Sequence, residues 1–359
     1  MSRRRPIFIL TAAVLSMVAV AGCSPTPGQA GPGAAGESRP LPTAEFEVLA
    51  SGLDAPWSIT FHGQTPLISE RDSARILEIT DTGHTREVAV IDGVTAVGEG
   101  GLLGIASHDE YLYVYSMSDR ENRIERFALS GEPGALALGA GEVILDGIAA
   151  ASYHNGGRIA FGPDGMLYAT VGDAGNPASA QDLESLSGKI LRLTPEGGVP
   201  QDNPFEGSLV YSYGHRNPQG IAWDAAGVMY ASEFGQNTWD ELNVIEAGGN
   251  YGWPEVEGSA GRDGFVDPVQ QWKPADASPS GIAITSETIH IANLRGARLR
   301  DVPLADLGQS SERFTGELGR LRDVTVAPDG SLWMLTNNTD GRGDPRPDDD
   351  RVLRIDPSA

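Results

Sequence analysis

The segment Ile159-Ala-Phe-Gly-Pro-Asp-Gly-Met-Leu-Tyr-Ala-Thr170 joins two short apolar runs through Gly-Pro-Asp-Gly. Such a turn between apolar runs is typical of a β-hairpin. The same pattern of an apolar strand, a tight turn and a second strand, often with aromatic residues, recurs six times along the chain. The copies are residues 57–69, 103–115, 159–170, 221–232, 282–292 and 324–336. Repetition of one unit over so much of the sequence indicates a repeat architecture.

These copies predict an all-β fold, a six-bladed β-propeller over residues 45–359. One small sheet cannot hide both faces from water, whereas six sheets in a ring bury each face against the next. Four copies are followed by a further apolar segment, for example residues 76–79 and 352–355. We expect residues 45–50 to add the outermost strand beside residues 352–355 and so to join the two ends. Two stacked β-sandwiches would not explain why the same strand-turn-strand pattern recurs along the whole chain.

The N-terminal residues 1–23 have the features of a bacterial lipoprotein signal peptide. Three arginines precede an apolar run that ends in Val20-Ala-Gly-Cys23, and Cys23 is the single cysteine. The run is shorter than a membrane-spanning helix requires, which makes a transmembrane anchor the weaker interpretation. We therefore expect export, a lipid on Cys23, anchoring at the outer face of the cell membrane, and a flexible Pro/Gly/Ala-rich linker over residues 24–44.

The composition narrows the classes of function. Forty-six glycines and 24 prolines indicate many turns, in keeping with short strands. A formal net charge of −23 argues against nucleic acid as a partner, because phosphate binding requires a basic face. An acidic surface suits cations and neutral sugars.

The predicted loops carry seven ordered motifs, and together they are more specific than the strands. They are Gly98-Glu-Gly-Gly-Leu-Leu-Gly104, His154-Asn-Gly-Gly-Arg158, Ser187-Gly-Lys-Ile-Leu-Arg192, Tyr213-Gly-His-Arg-Asn-Pro-Gln-Gly220, Asp240-Glu-Leu-Asn243, Asn250-Tyr-Gly-Trp-Pro254 and Gly319-Arg-Leu-Arg-Asp-Val324. With these motifs the chain resembles the soluble-type quinoprotein aldose sugar dehydrogenases of the glucose/sorbosone dehydrogenase family. The resemblance implies an enzyme that oxidises aldoses at the anomeric carbon to lactones, with pyrroloquinoline quinone (PQQ) and Ca²⁺ as cofactors and an external electron acceptor.

The residues agree with a requirement for a cofactor. Sugar oxidation removes a hydride, and no side chain of the mature protein accepts one. The sequence also lacks a strand-Gly-x-Gly-x-x-Gly-helix unit for a nicotinamide cofactor. A quinone that carries carboxylates instead needs converging cations.

Several cationic and polar residues match the cofactor ligands of the family. Arg320 and Arg322 lie two apart at the start of a predicted innermost strand, so they should point to one side, and the resemblance makes them cofactor ligands. Arg295 stands where many relatives have a lysine, which leaves the cofactor's orientation there open. The remaining residues implied to contact the cofactor are Glu99, Arg216 and Asn217.

The resemblance assigns catalysis to His154, Asp173 and Arg216. His154 would be the general base, a role that suits imidazole because its ordinary pKa of about 6.5 leaves it free to take a proton at neutral pH. Asp173 would orient the imidazole, and the charge of Arg216 would stabilise electrons arriving on the quinone.

The resemblance places Ca²⁺ on the consecutive backbone carbonyls of Gly235 and Gln236. The sequence departs from the family beside them, because Phe234 replaces a polar residue and Gln236 replaces a common proline. Residues 348–350 are three aspartates, which we interpret as a solvated acidic loop rather than a metal site.

Two other functions remain open at this point. Other six-bladed propellers are calcium-dependent lactonases, although such sites use side-chain carboxylates rather than clustered arginines. A non-enzymatic propeller that binds carbohydrate or protein is the second alternative, and the joint presence of His154, Arg216, Arg320 and Arg322 argues against it.

Overall fold

The computed structural model describes residues 46–80, 83–119 and 121–355. The predicted leader, Cys23 and the linker lie outside these residues. Within the described residues, no helix has both the length and the apolar character needed to cross a membrane.

The segment of residues 159–170 forms the predicted hairpin for local reasons. The Gly162 amide donates to the Met166 carbonyl at 2.9 Å, and the Asp164 carboxylate accepts from the Met166 amide at 3.1 Å. Gly165 has φ of 75°, a left-handed conformation that glycine adopts without steric cost. The turn therefore specifies the pairing of the two strands beside it.

Within the described residues, twenty-four strands form six four-stranded antiparallel sheets, which we call blades 1 to 6. The first strand of the chain is β1 (Glu47–Ala50). Blade 1 contains β2 (Pro56–His62), β3 (Thr65–Glu70), β4 (Arg75–Ile79) and β5 (Thr85–Val90). Blade 2 contains β6 (Leu102–His108), β7 (Tyr111–Met117), β8 (Glu121–Ser130) and β9 (Ala137–Ala149). Blade 3 contains β10 (Ile159–Phe161), β11 (Leu167–Val171), β12 (Lys189–Leu193) and β13 (Val210–Tyr213).

The remaining strands complete the ring. Blade 4 contains β14 (Pro218–Trp223), β15 (Met229–Glu233), β16 (Asp240–Ile245) and β17 (Gln270–Trp272). Blade 5 contains β18 (Pro279–Ile284), β19 (Thr288–Asn293), β20 (Arg298–Pro303) and β21 (Ser311–Arg313). Blade 6 contains β22 (Leu321–Val326), β23 (Leu332–Thr336) and β24 (Val352–Ile355), and β1 is its outermost strand. A short 3₁₀ helix, Pro177–Gln181, follows β11.

The predicted fold is confirmed strand by strand. Each of the six sequence copies forms the two innermost strands of one blade. The predicted closure is also confirmed, because Glu47 pairs with Arg354 and Ala50 with Val352.

Burial between the blades stabilises the ring. Six clusters of buried apolar side chains are present, and each lies mainly between two neighbouring blades. The closing interface packs Leu335 and Val352 of blade 6 against Ile59, Ile68 and Leu77 of blade 1. Full burial of one such aliphatic side chain contributes about 1.5–3 kcal/mol, so these residues help to hold the ring closed.

The predicted solvated loop at residues 348–350 is wrong for two of its three aspartates. Asp348 is exposed, but Asp349 and Asp350 are buried. Asp350 accepts hydrogen bonds from the Thr336 hydroxyl at 2.9 Å and the Asn338 amide at 2.6 Å. These carboxylates fix the loop between β23 and β24, a role that the sequence does not reveal because their partners come from the preceding strand.

Candidate active site at one end of the propeller channel

The topology brings the predicted site residues to one edge of the ring. In each antiparallel blade the start of the innermost strand lies beside the end of the second strand, as in the pair Pro218 and Glu233. The residues predicted for the site lie just before or at the start of an innermost strand, or follow a second strand. They therefore surround the same end of the channel, which we call the site end.

Irregular pairing at the site end turns side chains toward the channel. The register between the two inner strands shifts at the start of β2, β6, β14, β18 and β22. Such bulges re-aim a side chain that regular pleating would place elsewhere. The residues skipped by the ladder in three blades are Trp57, Gln219 and Arg322, and they meet. Arg322 donates to the Gln219 side chain at 3.0 Å, and its guanidinium lies 5.6 Å from the centre of the Trp57 ring.

A buried ion pair connects opposite blades beneath this contact. Arg158 donates to Asp323 at 2.9 Å and to the Ser58 hydroxyl at 2.9 Å, and its guanidinium stacks 4.3 Å from the Trp57 ring. Burial lowers the pKa of Arg158 and raises that of Asp323, while their mutual attraction opposes both shifts. Both residues lie inside motifs quoted above, but the contact across the ring gave no signal in the sequence.

His154 and Asp173 form a hydrogen-bonded pair in blade 3. His154 Nδ1 lies 2.7 Å from Asp173 Oδ1, and Asp173 also accepts from the Gly175 amide at 2.8 Å and from Trp253 Nε1 at 2.9 Å. Burial acts to raise the pKa of Asp173, but the hydrogen bonds from His154, Gly175 and Trp253 hold it below its ordinary value. The carboxylate is therefore ionised and fixes the imidazole. His154 Nε2 has no hydrogen-bond partner among the described residues.

Glu99 supports His154 from the neighbouring loop. Its carboxylate accepts from the His154 amide at 3.0 Å and from Arg342 Nη1 at 3.0 Å. Burial acts to raise the pKa of Glu99, but these two donors lower it overall. His154 has φ of 59°, an uncommon conformation for a residue with a side chain, and the amide bond to Glu99 helps to hold it.

Arg216 and Asn217 are fixed by buried groups. The Arg216 amide donates to Glu233, whose other oxygen lies 2.7 Å from His215 Nδ1, and the Arg216 guanidinium donates to the carbonyls of Phe234 and Gly235. Burial lowers the pKa of Arg216 despite the nearby carboxylates of Asp173 and Glu233. The Asn217 side-chain oxygen accepts from the Gly156 amide at 3.0 Å.

Arg320 and Arg322 approach each other through Asn337. Arg320 Nε donates to the Asn337 carbonyl at 3.2 Å, and Arg322 Nη2 lies 3.3 Å from its side-chain oxygen. Arg320 also pairs with Asp340 at 3.0 Å, a partner that the sequence analysis did not identify. Burial lowers the pKa of Arg322, and an anion bound beside it would favour the charged guanidinium. Arg295 lies at the same end, exposed, with no hydrogen bond or ion pair to the described residues.

Four buried donors at the site end have no partner in the described part of the chain. They are Arg158 Nη2, Arg216 Nε, Asn217 Nδ2 and Arg322 Nε. Buried polar groups are normally hydrogen-bonded, and an exception calls for a missing partner. Four unpaired donors, three of them on guanidinium groups, fit a ligand with several acceptor oxygens.

The loop after β15 turns two consecutive carbonyls in one direction. Glu257 Oε1 accepts from the amides of Gln236 and Asn237 at 2.7 and 3.2 Å. In a trans peptide the carbonyl points opposite to its amide, so the carbonyls of Gly235 and Gln236 face away from Glu257. Asp240 accepts from the Gly235 amide at 2.9 Å, and burial raises the pKa of Asp240 to about 6. This donor set fits a cation only if other ligands complete it, and the described residues contain no cluster of three His, Cys, Asp or Glu able to hold a metal.

Trp253 is the site residue that the sequence analysis overlooked, although its motif was noted. The long connection between β16 and β17 carries it to the site end, where it donates to Asp173 and lies 5.4 Å from the Arg216 guanidinium. It therefore couples the histidine pair to the arginine.

The chain is similar to several known proteins. An aldose sugar dehydrogenase from Streptomyces coelicolor, solved in its PQQ-bound form, is 48% identical with a TM-score of 0.83, over 86% of this chain and 96% of that one. The aldose sugar dehydrogenase YliI of Escherichia coli is 28% identical over 83% of this chain and 91% of its own length. Quinoprotein glucose dehydrogenase B of Acinetobacter calcoaceticus is 32% identical over 61% of this chain, and the match spans 54% of that protein. The family model for glucose/sorbosone dehydrogenases matches residues 53–345. The chain therefore belongs to the glucose/sorbosone dehydrogenase family, a family of oxidoreductases.

Proposed function

We propose that the protein oxidises aldose sugars at the anomeric carbon to lactones, with PQQ as the cofactor and His154 as the general base. The observation that carries this proposal is the set of four unpaired buried donors beside a histidine with one free nitrogen. A polyanionic quinone would satisfy the donors, and an anomeric hydroxyl would satisfy the nitrogen. The PQQ-bound Streptomyces relative supports the choice of cofactor.

The cofactor would lie against the arginines of the site end. Arg322 and Arg320 would bind carboxylates, Arg216 and Asn217 would contact the quinone oxygens, and Glu99 and Arg295 would contact its edge. When bound, PQQ supplies the two-electron acceptor that the side chains lack. The electrons then leave to an external acceptor.

Ca²⁺ would be held by the carbonyls of Gly235 and Gln236. The ion prefers oxygen ligands, and these two carbonyls face one way because Glu257 binds the amides of Gln236 and Asn237. The Gly235 carbonyl also accepts from Arg216, and a carbonyl oxygen has two lone pairs. The ion needs further ligands, which cofactor and water would provide.

The side chains would carry the proton chemistry. His154 Nε2 would take the proton of the anomeric hydroxyl as hydride leaves the same carbon. Asp173 would stabilise the resulting imidazolium without taking the proton. The fixed charge of Arg216 would stabilise negative charge as it develops.

The test is to add PQQ and Ca²⁺ to the purified protein and to follow dye reduction with a panel of aldoses. A matched pair of variants examines the pocket. Arg322→Ala should weaken PQQ binding about 10- to 100-fold by titration, because a charge-assisted hydrogen bond contributes about 1.5–3 kcal/mol. Arg262→Ala, which removes an exposed ion pair with Glu255, should leave it unchanged. Equal affinity in both variants, with folding intact, contradicts the cofactor assignment.

We also propose that a lipid on Cys23 anchors the exported protein at the outer face of the membrane. The support is the sequence Val20-Ala-Gly-Cys23 at the end of an apolar run. Cys23→Ala should release the protein from the membrane fraction. A variant that still sediments with membranes would refute lipid anchoring through this residue.

A further inference from the structure

We infer that Tyr153 is a sugar-binding residue, the aromatic wall against which the aldose ring packs during oxidation. The inference rests on the proposed function and assigns one residue of the substrate site. Nothing in the cofactor or metal assignments involves this side chain.

The exposure of Tyr153 is the first observation. Its ring is 46% exposed, and every other aromatic residue in the described ranges is buried or half-buried. An exposed aromatic side chain leaves a large apolar surface in water, which folding does not favour. A single exception placed at the site end calls for a ligand.

The position of the ring is the second observation. Tyr153 directly precedes His154, and the two ring centres are 4.7 Å apart at an interplanar angle of 85°. A sugar whose anomeric hydroxyl reaches His154 Nε2 must place the rest of its ring within a few ångströms of the imidazole. The Tyr153 ring lies within that distance.

The third observation is that one side of the ring packs against Gly175. A Cβ added to Gly175 would lie 2.7–3.0 Å from the hydroxyl and ring atoms of Tyr153, closer than real Cβ contacts allow. The Tyr153 ring is therefore packed closely on Gly175, whose amide itself donates to Asp173. The same loop thus fixes the carboxylate that orients His154 and supports one side of the Tyr153 ring.

The chemistry of the surface selects the occupant. Sugar rings present patches of C–H groups that pack on aromatic faces, while their hydroxyls remain hydrogen-bonded. Tyr153 has an exposed ring, and its hydroxyl makes no hydrogen bond to the described residues. We assign it to substrate binding through the ring rather than to proton transfer.

The test uses the PQQ- and Ca²⁺-loaded protein with D-glucose, and Tyr153→Ala and Tyr153→Phe as variants. Tyr153→Ala should raise the KM for the sugar about three- to tenfold, the range expected for one aromatic contact, with kcat changed less than twofold. Tyr153→Phe should keep the KM of the wild type. Leu183→Ala, which truncates another exposed apolar residue of blade 3, should behave as wild type.

A second readout separates binding from turnover. Calorimetric titration with 1,5-anhydro-D-glucitol, a sugar ring without the anomeric hydroxyl, should show weaker binding to Tyr153→Ala by the same factor. An unchanged KM and calorimetric affinity in Tyr153→Ala would overturn the inference, as would a KM effect on the dye alone, which would indicate an acceptor-binding residue. Equal loss in Tyr153→Phe would overturn packing through the ring. Failure of the wild type to oxidise any aldose would instead refute the proposed function.

Discussion

Blade 3 and blade 5 each contain a histidine bonded through Nδ1 to an aspartate, and the two pairs differ in what surrounds them. In blade 3 the His154–Asp173 distance is 2.7 Å, and in blade 5 the His290–Asp301 distance is 2.5 Å. The second nitrogen of His290 lies 3.1 Å from the Thr285 hydroxyl, and Asp301 is also paired with Arg313. His154 Nε2 has no such partner, and its side chain is 14% exposed against 2% for His290.

A histidine–carboxylate pair is therefore not by itself a catalytic feature. In blade 5 both nitrogens of His290 and both carboxylate oxygens of Asp301 have partners within the blade, so the pair serves to hold its strands together. In blade 3 one nitrogen is left for a reactant. The location of the unused nitrogen at the site end, rather than the pair, is the functional signal.

The largest difference between the two pairs is expected when each imidazole is removed in turn. His154→Ala should lower kcat with aldose about 10²–10⁴-fold, the usual contribution of a general base, while PQQ affinity stays within a few-fold. His290→Ala should keep kcat but lower the melting temperature, because Asp301 then loses a buried partner at a cost of about 1–3 kcal/mol. Steady-state kinetics and thermal unfolding on both variants measure the two effects. If His154→Ala retains turnover within threefold of wild type, this histidine is not the base.

A second pair of variants compares the carboxylates of the two pairs. Asp173→Asn should lower kcat about 10- to 100-fold, as is common for groups that orient a functional histidine, whereas Asp301→Asn should affect stability alone. Steady-state kinetics and thermal unfolding on these two variants measure both effects. A kcat within threefold of wild type in Asp173→Asn would show that Asp173 does not position His154.

The mildest change concerns the residue that joins the histidine pair to Arg216. Trp253→Phe keeps an aromatic ring but removes the donor to Asp173, so kcat should fall about two- to tenfold, in line with the loss of one hydrogen bond. Trp272→Phe, on blade 4 away from the pair, serves as the control. A normal kcat in both variants would place Trp253 outside the positioning network.

The ring could be predicted because its information is local. Each copy carries its own turn residues, such as Asp164 and Gly165, and apolar residues at strand positions, and these specify a hairpin without reference to the rest of the chain. The outer strands were harder to predict. β9 and β17 carry few buried residues, so their sequences lack the apolar pattern that marks an inner strand.

The site was predictable only in part, for the opposite reason. The resemblance selected His154, Asp173 and the arginines, but the bulges that aim Trp57, Gln219 and Arg322 at one another depend on the closed ring. The contact of Trp253 with Asp173 bridges two blades, and the burial of Asp350 depends on partners on and just after β23. These contacts form only in the assembled ring, so the spacing of residues in the sequence does not reveal them.

The pairing of β1 with β24 has a consequence for the folding of the newly made chain. β1 has no neighbouring strand until Arg354 is available to pair with Glu47. The cluster that joins blades 6 and 1 is incomplete until Val352 is in place. Until then the growing chain carries an unpaired β1 and two uncovered sheet faces, which are the features that favour aggregation of folding intermediates. The four residues of β24 thus determine when a nearly complete chain changes from an open, aggregation-prone arc to a closed ring.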